Sequence, residues 1–400
     1  MSIGGLSRAR LGHMHNIMAS YVERGYVPGV VTLISRRGET HVDAIGAKAF
    51  GDNDPVRHDT IFRISSLTKP IVAAATMILV EECKVRLDEP VNRLLPELAD
   101  RKVLKRIDGP LDDTVTANRP ITVRDLLTMR MGFGFILDDV SDCPILTAVS
   151  ERQIMMGPPK PATPLAPDEW LRRFATLPLM HQPCEAWMYE IAFSVLGVLI
   201  ARAAGQPLET FLRERIFAPL GMNDTGFSVP AGNRDRLATC YQANGETGEL
   251  EVYDDVSHSQ WSQPPAFPDA AGGLVSTIDD YFAFGQMMLK KGLHGSERVM
   301  SRPSVELMVS DQLTSAQRAA AGIFLGENRG WGFGLSTIIK RDEISAVPGR
   351  FGWDGGLGTS WYADPTEDMV AILMTQRLAG PHSPGIDLDF WTSVYQTFDD

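Results

Sequence analysis

The sequence predicts an α+β fold: one antiparallel sheet flanked by helices, assembled from both ends of the chain and interrupted by a mainly helical insertion. Three observations carry this. β-type runs crowd the first 45 residues and return after residue 270. Helical patterns and long irregular connections fill the stretch between them. A chain of 400 residues is also longer than one core usually covers, so two lobes are expected. The expected division is a sheet domain of residues 1–91 and 265–400 and a helical insertion of residues 92–264.

In chain order, residues 7–24 read as an amphipathic helix. Residues 27–36 and 40–45 are β-rich and are separated by Arg37-Gly38-Glu39, which reads as a hairpin turn. The apolar run 71–80 is long enough for a buried helix and too short to span a membrane. Residues 122–129, 168–176, 193–204 and 209–217 have helical patterns. The longest irregular stretch, 136–167, is rich in proline and methionine and is expected to form a lid or pocket wall, since an ordered domain seldom keeps so long a loop without a use. Strand patterns follow at 272–276, 332–339, 359–363 and 369–375, with a helix at 278–290 and a hairpin turn at Asp364-Pro365.

Composition narrows the function. Hydrophobic content of 44% and charged content of 22% belong to a soluble globular chain. A net charge of −12 without a long basic run argues against nucleic acid or an anionic membrane as partner. The N-terminal segment shows no apolar signal-peptide core, and Cys83, Cys143, Cys184 and Cys240 lack C-x-x-C spacing, so reduced thiols in a cytoplasm are expected. His13 and His15 form an H-x-H with no acidic or histidine neighbour in sequence. They read as helix-surface residues, and neither a metal nor another cofactor is expected.

Three short stretches carry chemistry. In Phe62-Arg63-Ile64-Ser65-Ser66-Leu67-Thr68-Lys69-Pro70, a helix starting near Ser66 puts Pro70 in the first turn, where its missing N–H has no helical partner to lose. Ser66 and Lys69 then share one helical face, and a serine beside an amine at the positive end of a helix dipole can serve as a nucleophile. On the pair alone, a capping serine with a solvated lysine is the better reading, since Ser-x-x-Lys is common; a base and an oxyanion site elsewhere in the chain are needed to overturn it. A helix pattern starts just after Tyr189, which places its phenol on the preceding loop or the first turn. Beside a lysine ammonium its phenol would lose its proton more easily and could act as base for Ser66, although most tyrosines are core residues. In Phe351-Gly352-Trp353-Asp354-Gly355-Gly356-Leu357-Gly358-Thr359, glycines at a strand start allow close approach to a ligand and equally suit a tight turn. The functional reading makes the N–H groups of Gly356 and Ser66 an oxyanion hole.

Together these stretches resemble the serine β-lactamase and penicillin-binding protein superfamily in its class C-like branch. The order there is Ser-x-x-Lys, Tyr-x-Asn, then Lys-Thr-Gly or His-x-Gly. The phrases at 121–127, 219–227 and 271–277 match too, and the similarity spans about residues 10–376. The resemblance implies a β-lactamase/DD-peptidase-like fold with its cleft at the junction of the two parts. It implies Ser66 as acylated nucleophile, Lys69 as its activating partner, Tyr189 as base, and Ser66 and Gly356 as oxyanion donors.

The departures bear on substrate. Ile191 stands where the motif has asparagine and cannot hydrogen-bond Lys69 or an amide. Trp353 stands where a cation would meet a β-lactam carboxylate, and Asp354 adds a negative charge beside it, unless strand alternation turns it from the cleft. Tyrosine without asparagine, with Trp-x-Gly, resembles the family VIII carboxylesterases and related fungal acyltransferases. Trp353, Asp354, Gly355 and Ile191 are therefore expected to shape a substrate site for small neutral esters. The absence of G-x-S-x-G removes the α/β-hydrolase route to esterase activity. A β-lactamase or D-amino-acid peptidase, an acyltransferase and a non-catalytic binding protein of the same fold are the alternatives.

Overall fold

The computed structural model describes residues 4–136, 143–244, 247–378 and 385–400. Seven strands form one antiparallel sheet: β1 (Gly29–Arg36), β2 (Glu39–Gly46), β3 (Arg329–Trp331), β4 (Ser336–Ile338), β5 (Phe351–Gly355), β6 (Thr359–Asp364) and β7 (Met369–Met374), in the order β3-β4-β5-β6-β7-β1-β2. The C-terminal meander thus continues onto the N-terminal hairpin through β7 and β1. The β1–β2 turn has two residues, Arg37 and Gly38, both at positive φ, which suits the right-handed twist of the paired strands. Both faces of the sheet are covered, so β1 and β7 are buried along their whole length. Met369, Ala371 and Leu373 face one side, and Val370, Ile372 and Met374 the other, as a period of two requires.

The first face meets α1 (Arg8–Glu23) through Leu11, Met14, Met18 and Tyr21, together with the C-terminal helix. The second face leads through α2 (Thr68–Glu81), α3 (Ile191–Ala204) and α4 (Ile278–Leu289) into the main core, which runs on into the segments between 91 and 220. The last helix, α5 (Ile386–Gln396), and strand β3 were not anticipated. The stretch 136–167 is not wholly irregular: Pro144–Glu151 is a helix that buries Ile145, Ala148 and Val149, and residues 137–142 fall outside the described set. His15 does have an acidic neighbour, Asp43 of β2 at 2.7 Å, because α1 lies over the hairpin. No single helix among the described residues is long and apolar enough to cross a membrane.

Candidate active site

Ser66 lies on a 3-10 turn, Ser65–Leu67, that feeds directly into α2. Ser65 has φ +46°, a left-handed conformation that costs a non-glycine residue on the order of 1–2 kcal/mol. A short ladder and a side-chain hydrogen bond hold the turn. Phe62–Arg63 pairs with Val275–Ser276, which brings Ala271 alongside. The end of β5 is pressed against Ile64, where Thr359 Oγ1 donates to the Ile64 carbonyl at 3.1 Å. A Cβ at Gly355 would overlap that carbonyl and the Thr359 hydroxyl, so only glycine lets β5 come this close. Gly356 follows at the mouth of the cleft, next to Ser65. The glycine motif thus comprises strand β5, the hairpin turn at 356–358 and the start of β6 at Thr359.

Lys69 is wholly buried, and its Nζ has three acceptors: Ser66 Oγ at 2.8 Å, Glu190 Oε2 at 3.0 Å and the Ala271 carbonyl at 2.6 Å. An ammonium has three protons to donate, so the group is saturated and its direction fixed. Nζ also lies 4.3 Å from the centre of the Tyr189 ring. Tyr189 sits on the loop just before α3 and lines the same cleft as Ser66. Its Oη accepts the Trp353 indole N–H at 2.9 Å, and Phe324 stacks on its ring at 4.7 Å. Three stretches far apart in the sequence, holding Ser66 and Lys69, Tyr189, and Trp353 and Gly356, thus converge on one place.

The electrostatics revise one expectation. Burial pushes the Tyr189 phenol above its ordinary value, and the opposing pull of the Lys69 ammonium does not overcome it. Burial pulls Lys69 down, but the charges of Tyr189 and Glu190 outweigh it and hold the ammonium above its ordinary value. Burial pushes the Glu190 carboxyl up against the Lys69 charge. The phenolate that a base needs is therefore the minor form at neutral pH, and the Trp353 N–H stands ready to stabilise it.

Ile191 is a correction. It is fully buried as the first residue of α3 and does not reach the cleft. The group that bonds Lys69 is its neighbour Glu190, which sequence reasoning missed. A signal was present: Glu190 is the only charge between Ala186 and Gly197, and a lone acid in an apolar run needs a buried partner. Glu190 Oε1 accepts the Gly157 N–H at 2.9 Å, so the 136–167 stretch does contribute to the pocket wall.

Trp353 also differs from its expected role. It is 4% exposed, its edge packed on Trp331 at 4.7 Å and its N–H given to Tyr189, so it offers little surface to a substrate. The apolar wall comes instead from Phe135, Ile323, Phe324 and Leu378, around a cleft of ≈ 360 Å³. Alternation along β5 does set Asp354 on the opposite face from Trp353. There it accepts from Ser360 Oγ at 2.5 Å and Tyr362 Oη at 3.0 Å, and it pairs with Arg329 at 3.3 Å on the rim of the cleft.

The Beta-lactamase family profile matches residues 14–396. Protein Rv1367c of Mycobacterium tuberculosis is 38% identical over 384 residues, covering 93% of this chain and 90% of its own. Esterase EstB of Burkholderia gladioli is 29% identical over 383 residues, 88% of each chain. Among solved structures, EstCE1, described as a hydrolase with promiscuous acyltransferase activity, superposes with a TM-score of 0.81 at 24% identity, covering 97% of this chain and 99% of its own.

Proposed function

The chain belongs to the beta-lactamase family, and from that premise we propose that it is a serine hydrolase of carboxylic esters, working through an acyl-enzyme on Ser66. Tyr189 as phenolate takes the Ser66 proton while Oγ bonds to the ester carbonyl carbon. The Lys69 ammonium, 2.8 Å from Oγ, stabilises the developing alkoxide. The N–H groups of Ser66 and Gly356 receive the carbonyl oxygen as it becomes an oxyanion. Tyr189 then returns the proton to the departing alkoxide, leaving the acyl group on Oγ. Water completes the cycle. The free thiols of Cys83, Cys143, Cys184 and Cys240 support a reducing compartment such as the cytoplasm.

One observation carries the choice of esters. Among the described residues that line the cleft, Arg329 is the only cation, and Asp354 already pairs with it, while Lys69 behind the wall is held by Glu190. A substrate carboxylate would find no unpaired cation, whereas an uncharged ester would meet apolar wall. The likeness to a named esterase, EstB, points the same way. The test is a comparison of kcat/KM for a neutral p-nitrophenyl ester and for a penicillin: the ester is expected to be strongly preferred, and preference for the penicillin defeats the assignment.

A further inference from the structure

Glu190 has no part in the steps above, yet it is the most constrained acid near Ser66. One carboxylate oxygen is held by the Gly157 N–H at 2.9 Å and the other by Lys69 Nζ at 3.0 Å, and that same Nζ touches Ser66 Oγ at 2.8 Å. Ser66 Oγ and Glu190 Oε2 thus share one ammonium as neighbour, which sets the carboxylate beside the position of an acyl group on Oγ. The carboxylate opens onto the cleft with only 11% of its side chain exposed.

We propose that Glu190 is the general base of deacylation, activating the water that attacks the Ser66 acyl group, and that it thereby directs the site to hydrolysis over acyl transfer. The proposal rests on the acyl-enzyme reading. The Glu190 carboxylate takes a proton from water as the water oxygen bonds to the acyl carbon. The tetrahedral oxyanion collapses, the bond from carbon to Ser66 Oγ breaks, and Oγ takes a proton from Lys69 Nζ. Glu190 returns its proton to Lys69 across their 3.0 Å contact. A free carboxylic acid and the Ser66 hydroxyl result. Burial, which pushes the Glu190 carboxyl up, makes its carboxylate a stronger base than one in water.

The experiment is pre-steady-state turnover of a p-nitrophenyl ester by Glu190→Gln. The expected result is a burst of one p-nitrophenol per chain at near wild-type rate, then a steady state slowed by roughly a hundredfold or more. The acyl mass should accumulate on the peptide holding Ser66, and hydroxylamine, which needs no base, should restore turnover. Loss of the burst together with the steady state, or unchanged turnover, overturns the proposal, because Glu190 would then only position Lys69 or do nothing. Glu190→Asp keeps a partner for Lys69 but withdraws the carboxylate by one methylene. It should show the same split, and it provides the reading if Glu190→Gln loses the wild-type Tm. A wild-type enzyme that takes a serine-directed phosphonate elsewhere than Ser66 defeats the acyl-enzyme reading itself. Labelling at Ser66 with unsplit kinetics defeats only the role of Glu190.

Discussion

Replacing Trp353 with Phe tests whether the Tyr189 phenolate is the working base. The substitution removes one contact, the indole N–H that reaches Tyr189 Oη at 2.9 Å, and keeps an aromatic ring against Trp331. A buried hydrogen bond to a charged acceptor contributes about 1.5–3 kcal/mol. The N–H serves phenolate more than phenol, so its loss moves the phenol further up from a value that burial has already raised. If phenolate is the base, kcat/KM at neutral pH should fall by roughly ten- to a hundredfold. The sign in pH follows. Below the phenol's value kcat/KM rises with pH as phenolate grows. In Trp353→Phe that rising limb should lie at higher pH, so the gap to wild type narrows in alkali. The assay is a pH series of kcat/KM on a neutral p-nitrophenyl ester, with Tm measured to separate the smaller ring's packing loss, about 1–3 kcal/mol, from the effect on rate. No loss at neutral pH, or a loss that stays unchanged once pH has passed the wild-type phenol's own value, would refute the reasoning and leave Tyr189 without a role as phenolate.

Further perturbations follow from the same geometry. Lys69→Ala and Tyr189→Phe should each lower turnover by about a hundredfold or more, and the double variant should be little worse than either, since both act in one proton-transfer unit; steady-state kinetics on all three variants checks this. Gly355→Ala forces a Cβ onto the Ile64 carbonyl and should cost about 1–3 kcal/mol of stability and most of the activity. At Gly356 the nearest atom to an added Cβ is Ser65 Oγ at 3.8 Å, so Gly356→Ala should keep its Tm; thermal melts of the pair separate the two positions. Asp354→Asn releases Arg329 and should raise kcat/KM for a carboxylate-bearing ester several-fold relative to a neutral one, a gain that salt should erode.

What could be read in advance follows the range of the interactions. The Ser66–Lys69 pair is local, fixed by one turn of structure, and a spacing of three suffices to place it. The alternating faces of β1 and β7 are local in the same sense. Glu190 could be flagged as a lone acid in an apolar run, but its role could not be read, because its partner Lys69 is 121 positions away and a loop brings the Gly157 N–H to its other oxygen. Trp353 was recognised by position but not by orientation. Seen as the residue of a missing cation it reads as a substrate wall, and only the register of β5 turns its N–H to Tyr189. The true wall includes Ile323 and Phe324, from a four-residue helix at Gly322–Leu325, too short for any periodic signal.

The central claim is that Ser66 is the nucleophile, and covalent labelling addresses it most directly. A phosphonate ester should add once per chain, abolish esterase activity in step with labelling, and map to the peptide that holds Ser66, while Ser66→Ala should neither label nor turn over. An adduct on another peptide with Ser66 free, or an active Ser66→Ala, would contradict the account.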